Sequence, residues 1–382
     1  MNERFPRGKA AIVGSATYGI GEAPGHTPME LAATAGLLAL ENAGLRLSDV
    51  DGLAICVPND LMCGLNLAEH YGIHPRMINN NRPGGSAFMT HAISAALAIE
   101  AGLCEVVLIT YGSTPRSGGG KLVPPAPSVH EAPYGVSIPI PYALAATRHM
   151  HQYGTTRRQL AEVAVAARQW AMRNPEAWVR DPMTIEECLG ARPVATPFTV
   201  RDCCLVSDGA GAVIMTSAAR ARELVQRPAY LLGGAEATTH YHIAQMKDLT
   251  VTAARESGAR AFAQAGLTPR DVDVLQLYDA FSINPILFLE DLGFCAKGEG
   301  GFFVEGGRIA PGGSLPVNTN GGGLSCVHPG MYGIFAMIEA ARQIGGACGE
   351  RQVPGVDVAL AHGNGGFLSS QATLLLGSAA TL

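Results

Sequence analysis

A ten-residue pattern of this chain occurs twice, with six positions identical. The stretch Asn42-Ala43-Gly44-Leu45-Arg46-Leu47-Ser48-Asp49-Val50-Asp51 returns as Gln264-Ala265-Gly266-Leu267-Thr268-Pro269-Arg270-Asp271-Val272-Asp273, at a constant offset of 222 residues from Gly44 to Gly266. Each copy follows an Ala-rich helical pattern and leads into an apolar strand. A looser match pairs the helix ending at Gly102 and the strand from Glu105 with the helix ending at Gly346 and the strand from Asp357. The order strand–helix–strand–helix–strand therefore occurs twice. Such self-similarity limits the fold more than composition does. Alternating strands and helices predict parallel pairing, with helices packed against the sheet faces. The expectation is an α/β fold of two pseudo-equivalent halves, 1–225 and 226–382, with 114–200 inserted in the first.

Local signals fill in this frame. Thr27, Pro28 and Glu30 form a capping box with proline at the first helical position, and Gly44 closes that helix. A strand is expected over 50–56 and a helix over 86–101. Further strands are expected over 105–111, 210–216 and 229–233. Thr156 and Gln159 open another helix that runs to Met172. Residues 114–150 are dense in proline and read as a long irregular covering loop. Cys203 and Cys204 read as neighbours on a strand that point opposite ways.

Charge and cysteine usage exclude several functions. The net charge is -5 and no Lys/Arg run is visible, against nucleic acid as a main partner. No apolar stretch reaches the length of a membrane span, and Met1–Arg7 lacks a secretory pattern, so the expected location is cytoplasmic. The 9 cysteines show no C-x-x-C pair, which disfavours disulfides and structural zinc. His240 and His242 share a face, but no third ligand accompanies them, so no metal is expected.

Polar residues gather where strands end. Asn80-Asn81-Arg82-Pro83-Gly84-Gly85-Ser86 opens a long helix; its amides suit an oxyanion and Ser86 a nucleophile, or Ser86 is simply the N-cap. In the second half, Tyr278-Asp279-Ala280-Phe281 ends an apolar strand. Residues 318–330 form a polar Gly-rich loop that contains Asn320, Gly322, Cys326 and His328. The turn His362-Gly363-Asn364-Gly365-Gly366 follows another strand. His328 and His362 suit acid–base work near neutral pH. Cys326 reads as a buried filler or as a nucleophile. Arg157, Arg158 and Arg168 read as a solvated helix face or as phosphate contacts.

These segments resemble the motifs of thiolases. The loop with His328-Pro329 is similar to their Asn-x-x-Gly-Gly…Gly-His-Pro motif. Residues 278–281 resemble their Asn-Glu-Ala-Phe motif, or the His-Asp-Cys-Phe version of the sterol-carrier-protein type. The turn from His362 resembles their C-terminal Cys-x-Gly-Gly-Gly. The resemblance implies a duplicated, five-layered α-β-α-β-α fold and a homodimer. It also implies three departures. The nucleophilic Cys falls on Gly85, with Ser86 next; the acid–base Cys is His362; and the Asn or His of the third motif is Tyr278.

Together with Gly330-Met331-Tyr332-Gly333, this pattern resembles the thiolase-like lipid-transfer proteins of bacterial steroid side-chain degradation. That branch implies retro-aldol cleavage of a β-hydroxyacyl-CoA, with no covalently bound cofactor. It also implies a small OB-fold partner with a zinc ribbon, giving a heterotetramer. By this resemblance Tyr278 is the candidate base and Tyr332 a second. His328 is an oxyanion donor or orients the thioester. His362, Gly85, Asn320, Gly322 and the amides of Gly365 and Gly366 bind or assist. Asp279 tunes Tyr278 or is structural. The alternatives are acyl transfer to CoA through Ser86 or Cys326, and a non-catalytic binding subunit.

Overall fold

The computed structural model describes residues 5–118, 129–224 and 227–382. Among these described residues nine strands form one mixed sheet. They are β1 (Ala10–Gly21), β2 (Gly52–Cys56), β3 (Met77–Asn79), β4 (Val106–Ser113), β5 (Asp208–Ser217), β6 (Ala229–Thr238), β7 (Val274–Leu277), β8 (Val358–Gly365) and β9 (Ser370–Gly377). The longer helices are α1 (Pro28–Ala43), α2 (Cys63–Tyr71), α3 (Ala87–Glu100), α4 (Ile140–Tyr153), α5 (Arg157–Ala171), α6 (Ala254–Ala265), α7 (Ile283–Asp291) and α8 (Gly333–Gly345).

The strand order is β3-β2-β4-β5-β1-β6-β9-β8-β7. The order β2-β4-β5-β1 is answered in reverse by β6-β9-β8-β7, so the duplication is visible in the sheet itself. β2 runs parallel to β4, and β7 parallel to β8. The halves meet where Ala11 faces Tyr230 and Ile12 faces Ala229. α1 packs on β1, β4 and β5, and α6 on β6 and β9. α3 and α8 each touch strands of both halves. The layers are therefore helix, sheet half, central helices, sheet half, helix, as the duplicated reading implies.

The repeated decapeptide has an atomic explanation. Gly44 and Gly266 close α1 and α6 at φ 68° and 67°, a left-handed conformation that favours glycine. Asp49 then accepts the Arg46 amide at 2.8 Å, and Asp271 the Thr268 amide at 2.7 Å. Asp51 accepts the amides of Glu105 and Val106 at the start of β4. Asp273 accepts those of Asp357 and Val358 at the start of β8, both at 2.8 Å. Each copy thus ends a helix, turns the chain and pins the neighbouring parallel strand.

Three local expectations change. The covering region contains helix α4, because the prolines before it mark an N-terminus (Pro141 lies in its first turn) and Ala143–Ala146 favour helix; its stretch 119–128 lies outside the described residues. β6 continues past Gly233, whose missing side chain lets the strand lie against the Ala261 carbonyl of α6. Cys203 and Cys204 form only a bridge, with Cys203 opposite Phe281 and the Cys204 amide donating to Ala280 O at 2.8 Å. No helix among the described residues is long and apolar enough to cross a membrane.

Candidate active site

The site forms where α3 and α8 begin, between the ends of β7 and β8. Tyr278 follows β7, and its amide donates to the His362 carbonyl at 3.0 Å. Its ring fills the space in front of Gly85: a Cβ on Gly85 would lie 2.1 Å from Tyr278 Cε2. The position expected to correspond to the thiolase nucleophile therefore has no room for a side chain while Tyr278 is in place. Gly84, Gly333, Gly363 and Gly365 extend the same close approach, each meeting backbone or side-chain atoms within 3 Å of a built Cβ.

The Tyr278 hydroxyl lies 3.0 Å from His328 Nε2 and accepts the Tyr332 amide at 3.1 Å. The amide fills one of the two hydroxyl lone pairs, and with the neutral-ring proton on Nδ1 the hydroxyl donates to Nε2, which leaves its second lone pair free to accept. His328 Nδ1 is buried without a hydrogen-bond partner. Burial lowers the His328 pKa to about 4 and pushes Tyr278 well above the ordinary phenol value. Near neutral pH the pair is thus a neutral phenol on a neutral imidazole. Tyr111, at the end of β4, donates to the Pro329 carbonyl and fixes the loop beside His328.

Asn320 braces the second tyrosine. Its Oδ1 accepts both the Tyr332 hydroxyl and the Gly322 amide at 2.8 Å. The Gly322 amide, expected as an oxyanion donor, is therefore engaged inside the loop. Residues Gly322–Cys326 form one π-type turn. Asp279 organises it: the amides of Gly323 and Leu324 donate to its carboxylate at 2.6 and 3.3 Å. A Cβ on Gly322 would strike Asp279 Oδ2 at 2.0 Å. Burial raises the Asp279 pKa to about 7 although both amides favour the carboxylate.

Other expected site residues sit differently. His362 faces β9 and α7: Nδ1 meets Thr373 Oγ1 and Nε2 meets Gln371 Oε1, both at 2.9 Å, with Phe288 against the ring. Only its carbonyl reaches Tyr278. Ser86 makes no cap bond; its hydroxyl meets Ser370 Oγ at 2.9 Å. Cys326 is buried beside Asn174 and a cavity of about 10 Å³, its thiol pKa pushed up by burial. Arg157 grips Asp202 with two bonds, and Arg168 is buried against Ser325 Oγ and Asp181 O. Neither belongs to a solvated face, whereas Arg158 is exposed beside Glu186. Among the described residues no three His, Cys, Asp or Glu side chains converge as metal ligands.

Two participants were not singled out from the sequence. Tyr142 of α4 stacks on Phe281 with centroids 4.5 Å apart, and its hydroxyl donates to Gly366 O at 2.8 Å. Asn364 donates to that hydroxyl at 3.1 Å. The proline-dense surroundings of Tyr142 hid its helix. Asn364 stood in the quoted glycine turn, where its polar side chain was the available signal.

Residues 235–378 match the Thiolase C-terminal domain-like family. The acetyl-CoA acetyltransferase of Methanothermobacter thermautotrophicus is 35% identical over 377 residues, covering 93% of this chain and 96% of that protein. The 17-hydroxy-3-oxo-4-pregnene-20-carboxyl-CoA lyase of Mycobacterium tuberculosis is 36% identical over 360 residues, covering 89% and 92%. A solved Ltp2-ChsH2(DUF35) aldolase superposes with a TM-score of 0.89 at 32% identity, covering 97% of this chain and 98% of that one.

Proposed function

Because the chain belongs to the thiolase superfamily, in the lipid-transfer-protein aldolase branch that lacks the nucleophilic cysteine, we propose that it cleaves β-hydroxyacyl-CoA thioesters by a retro-aldol reaction. The observation that carries this reading is the Tyr278 ring in front of Gly85, with its hydroxyl on His328 Nε2. A thiolase needs a thiolate there to form an acyl-enzyme. Here a phenol and an imidazole acceptor stand instead, the equipment for removing a hydroxyl proton.

The reaction balances without a cosubstrate. Tyr278 takes the β-hydroxyl proton as its own passes to His328 Nε2. The bond between the α and β carbons breaks, the β carbon becomes a ketone or aldehyde, and the electron pair moves into the thioester as an enolate. The proton returns through Tyr278 to the α carbon, which leaves a shortened acyl-CoA. The free tyrosinate is never required, which matters because burial disfavours it. The amides of Gly365 and Gly366 are the proposed donors to the enolate oxygen.

The assembly is part of the same proposal. The outer edge of β3 has no partner strand among the described residues, and Leu61, Met62 and Leu65 are exposed nearby. This supports a homodimer through the thiolase core. The superposed aldolase is named with a ChsH2(DUF35) component, which supports a DUF35-type partner for this chain. The OB-fold and zinc ribbon of that partner, and the heterotetramer, are what the sequence resemblance implies.

Product analysis tests the reaction. The chain, alone and co-expressed with a DUF35-type partner, is given β-hydroxyacyl-CoA and β-ketoacyl-CoA, each with and without free CoA. A carbonyl product plus a shortened thioester, formed without free CoA, is expected. Two thioesters formed only with free CoA would instead establish acyl transfer.

A further inference from the structure

The covering helix α4 enters the site through Tyr142, whose hydroxyl belongs to a directed row of hydrogen bonds. It donates to Gly366 O and accepts from Asn364 Nδ2. Asn364 Oδ1 accepts from Gln371 Nε2 at 2.8 Å. Gln371 Oε1 therefore faces the His362 Nε2 proton, and His362 Nδ1 accepts from the Thr373 hydroxyl, both at 2.9 Å. Thr373 Oγ1 meets Ser257 of α6 at 2.9 Å. With Gln371 oriented as its bonds require, the remaining donors and acceptors fall into one sense. The row crosses from an outer helix to the floor of the site and leaves Asn364 one orientation.

That orientation bears on Tyr278. The Asn364 backbone carbonyl lies 2.7 Å from a Cβ built on Gly85, beside the Tyr278 ring, and Gly365 Cα lies 2.7 Å from one built on Gly84. The turn 364–366 is therefore the wall against which α3 begins and beside which Tyr278 sits. We propose that Tyr142 is a positioning residue of the cleavage site: by holding Gly366 O and Asn364 it fixes this turn, and through the turn the place of the Tyr278 ring. The proposal rests on the aldolase reading above.

The hydroxyl is separable from the fold. Phenylalanine would keep the stack on Phe281, which itself lies on Phe198 at 5.3 Å. α4 is also anchored elsewhere, where His149 Nε2 meets the buried Glu290 carboxylate at 3.0 Å and Lys297 joins Glu290 at 3.0 Å. Loss of the hydroxyl should loosen the turn and leave the helix in place.

Tyr142→Phe, Asn364→Ala and the double variant test this in the full chain. For Tyr142→Phe, kcat should fall about ten- to a hundredfold while KM changes less than about threefold, since misplacement acts on the reacting geometry. Amide exchange at 363–367 should quicken, exchange at 146–153 should not, and the denaturation midpoint should stay near that of the parent. The double variant should be no slower than Asn364→Ala, because both act through one turn. A Tyr142→Phe chain with parental kcat and parental exchange at 363–367 overturns the proposal, as does faster exchange throughout α4. Should the parent cleave no β-hydroxyacyl-CoA, the aldolase reading fails by itself, and exchange at 363–367 alone then decides whether Tyr142 holds the turn.

Discussion

Gly85 and Tyr278 exclude one another's side chains: a Cβ at position 85 would fall 2.1 Å from the Tyr278 ring. The glycine at the position expected to correspond to the thiolase cysteine and the tyrosine that faces it are thus sterically coupled. Reinstating the cysteine therefore should not reinstate the chemistry. Gly85→Cys should lose about 1–3 kcal/mol of stability through overpacking. It should also form no acyl adduct by intact mass with β-ketoacyl-CoA. Gly85→Cys with Tyr278→Ala should recover part of that loss, a coupling that denaturant titration reads directly. Additive losses would contradict the steric relationship.

In the proposed mechanism His328 sets the acid side of the pH profile. Its folded pKa is near 4, so Nε2 is free to accept a proton throughout the neutral range. Cleavage should be flat in kcat/KM from about pH 6 to 8 and fall below about pH 5 as the imidazole charges. His328→Gln should reduce kcat about 10²- to 10⁴-fold, the usual worth of a positioned acid–base group. A profile with an inflection near 6.5 would mean that the ring is solvated and the pair is not built as described.

The same burial shapes stability. His91, His328 and His362 all have pKa values near 4, below the unfolded value of about 6.5. Between those values the unfolded chain binds the extra protons, so stability is full above pH 6.5 and is lost as pH falls towards 4. Each group contributes at most about 1.4 kcal/mol per pH unit. Asp279 acts in the opposite sense: its pKa is raised from 3.8 to about 7, so its contribution is full below about pH 3.8 and is lost as pH rises from there to 7, which offsets part of the rise from the three histidines. Denaturant midpoints measured from pH 4 to 7 should rise, and His362→Gln should flatten that rise. An unchanged slope in the variant would show that His362 is not buried neutral.

Cys326 separates the two chemistries. Its thiol is buried against Asn174 in a region with room for little more than one water. Cys326→Ala should keep cleavage within about threefold and lower stability by about 1–2 kcal/mol. Native-state alkylation should spare it, because burial holds the thiol protonated. A hundredfold loss of activity without unfolding would restore it as a nucleophile.

The repeat was legible because its causes are local. A left-handed glycine after a helix and an aspartate beneath a neighbouring strand leave the same residues at both positions. Tyr278 and His328 were legible as motif residues, and the structure joins them. The face of His362 was not, since it depends on the register of β8 with β9, which pairs His362 with Thr373. Tyr142 was hidden for a different reason. Its partner Gly366 is 224 residues away, and nothing near position 142 announces that contact. The tether roles of Arg157 and Arg168 were likewise set by distant partners, Asp202 and Ser325.

Removal of the Tyr278 hydroxyl tests the central claim most directly. Tyr278→Phe keeps the ring in front of Gly85 and deletes the one atom shared by His328 and the Tyr332 amide. Single-turnover cleavage of a β-hydroxyacyl-CoA is measured for parent and variant, with the denaturation midpoint as control. The expected result is a loss of at least about a hundredfold in rate, with a folded chain and substrate still bound. Cleavage at the parental rate by a folded Tyr278→Phe chain would contradict the proposed role of this hydroxyl.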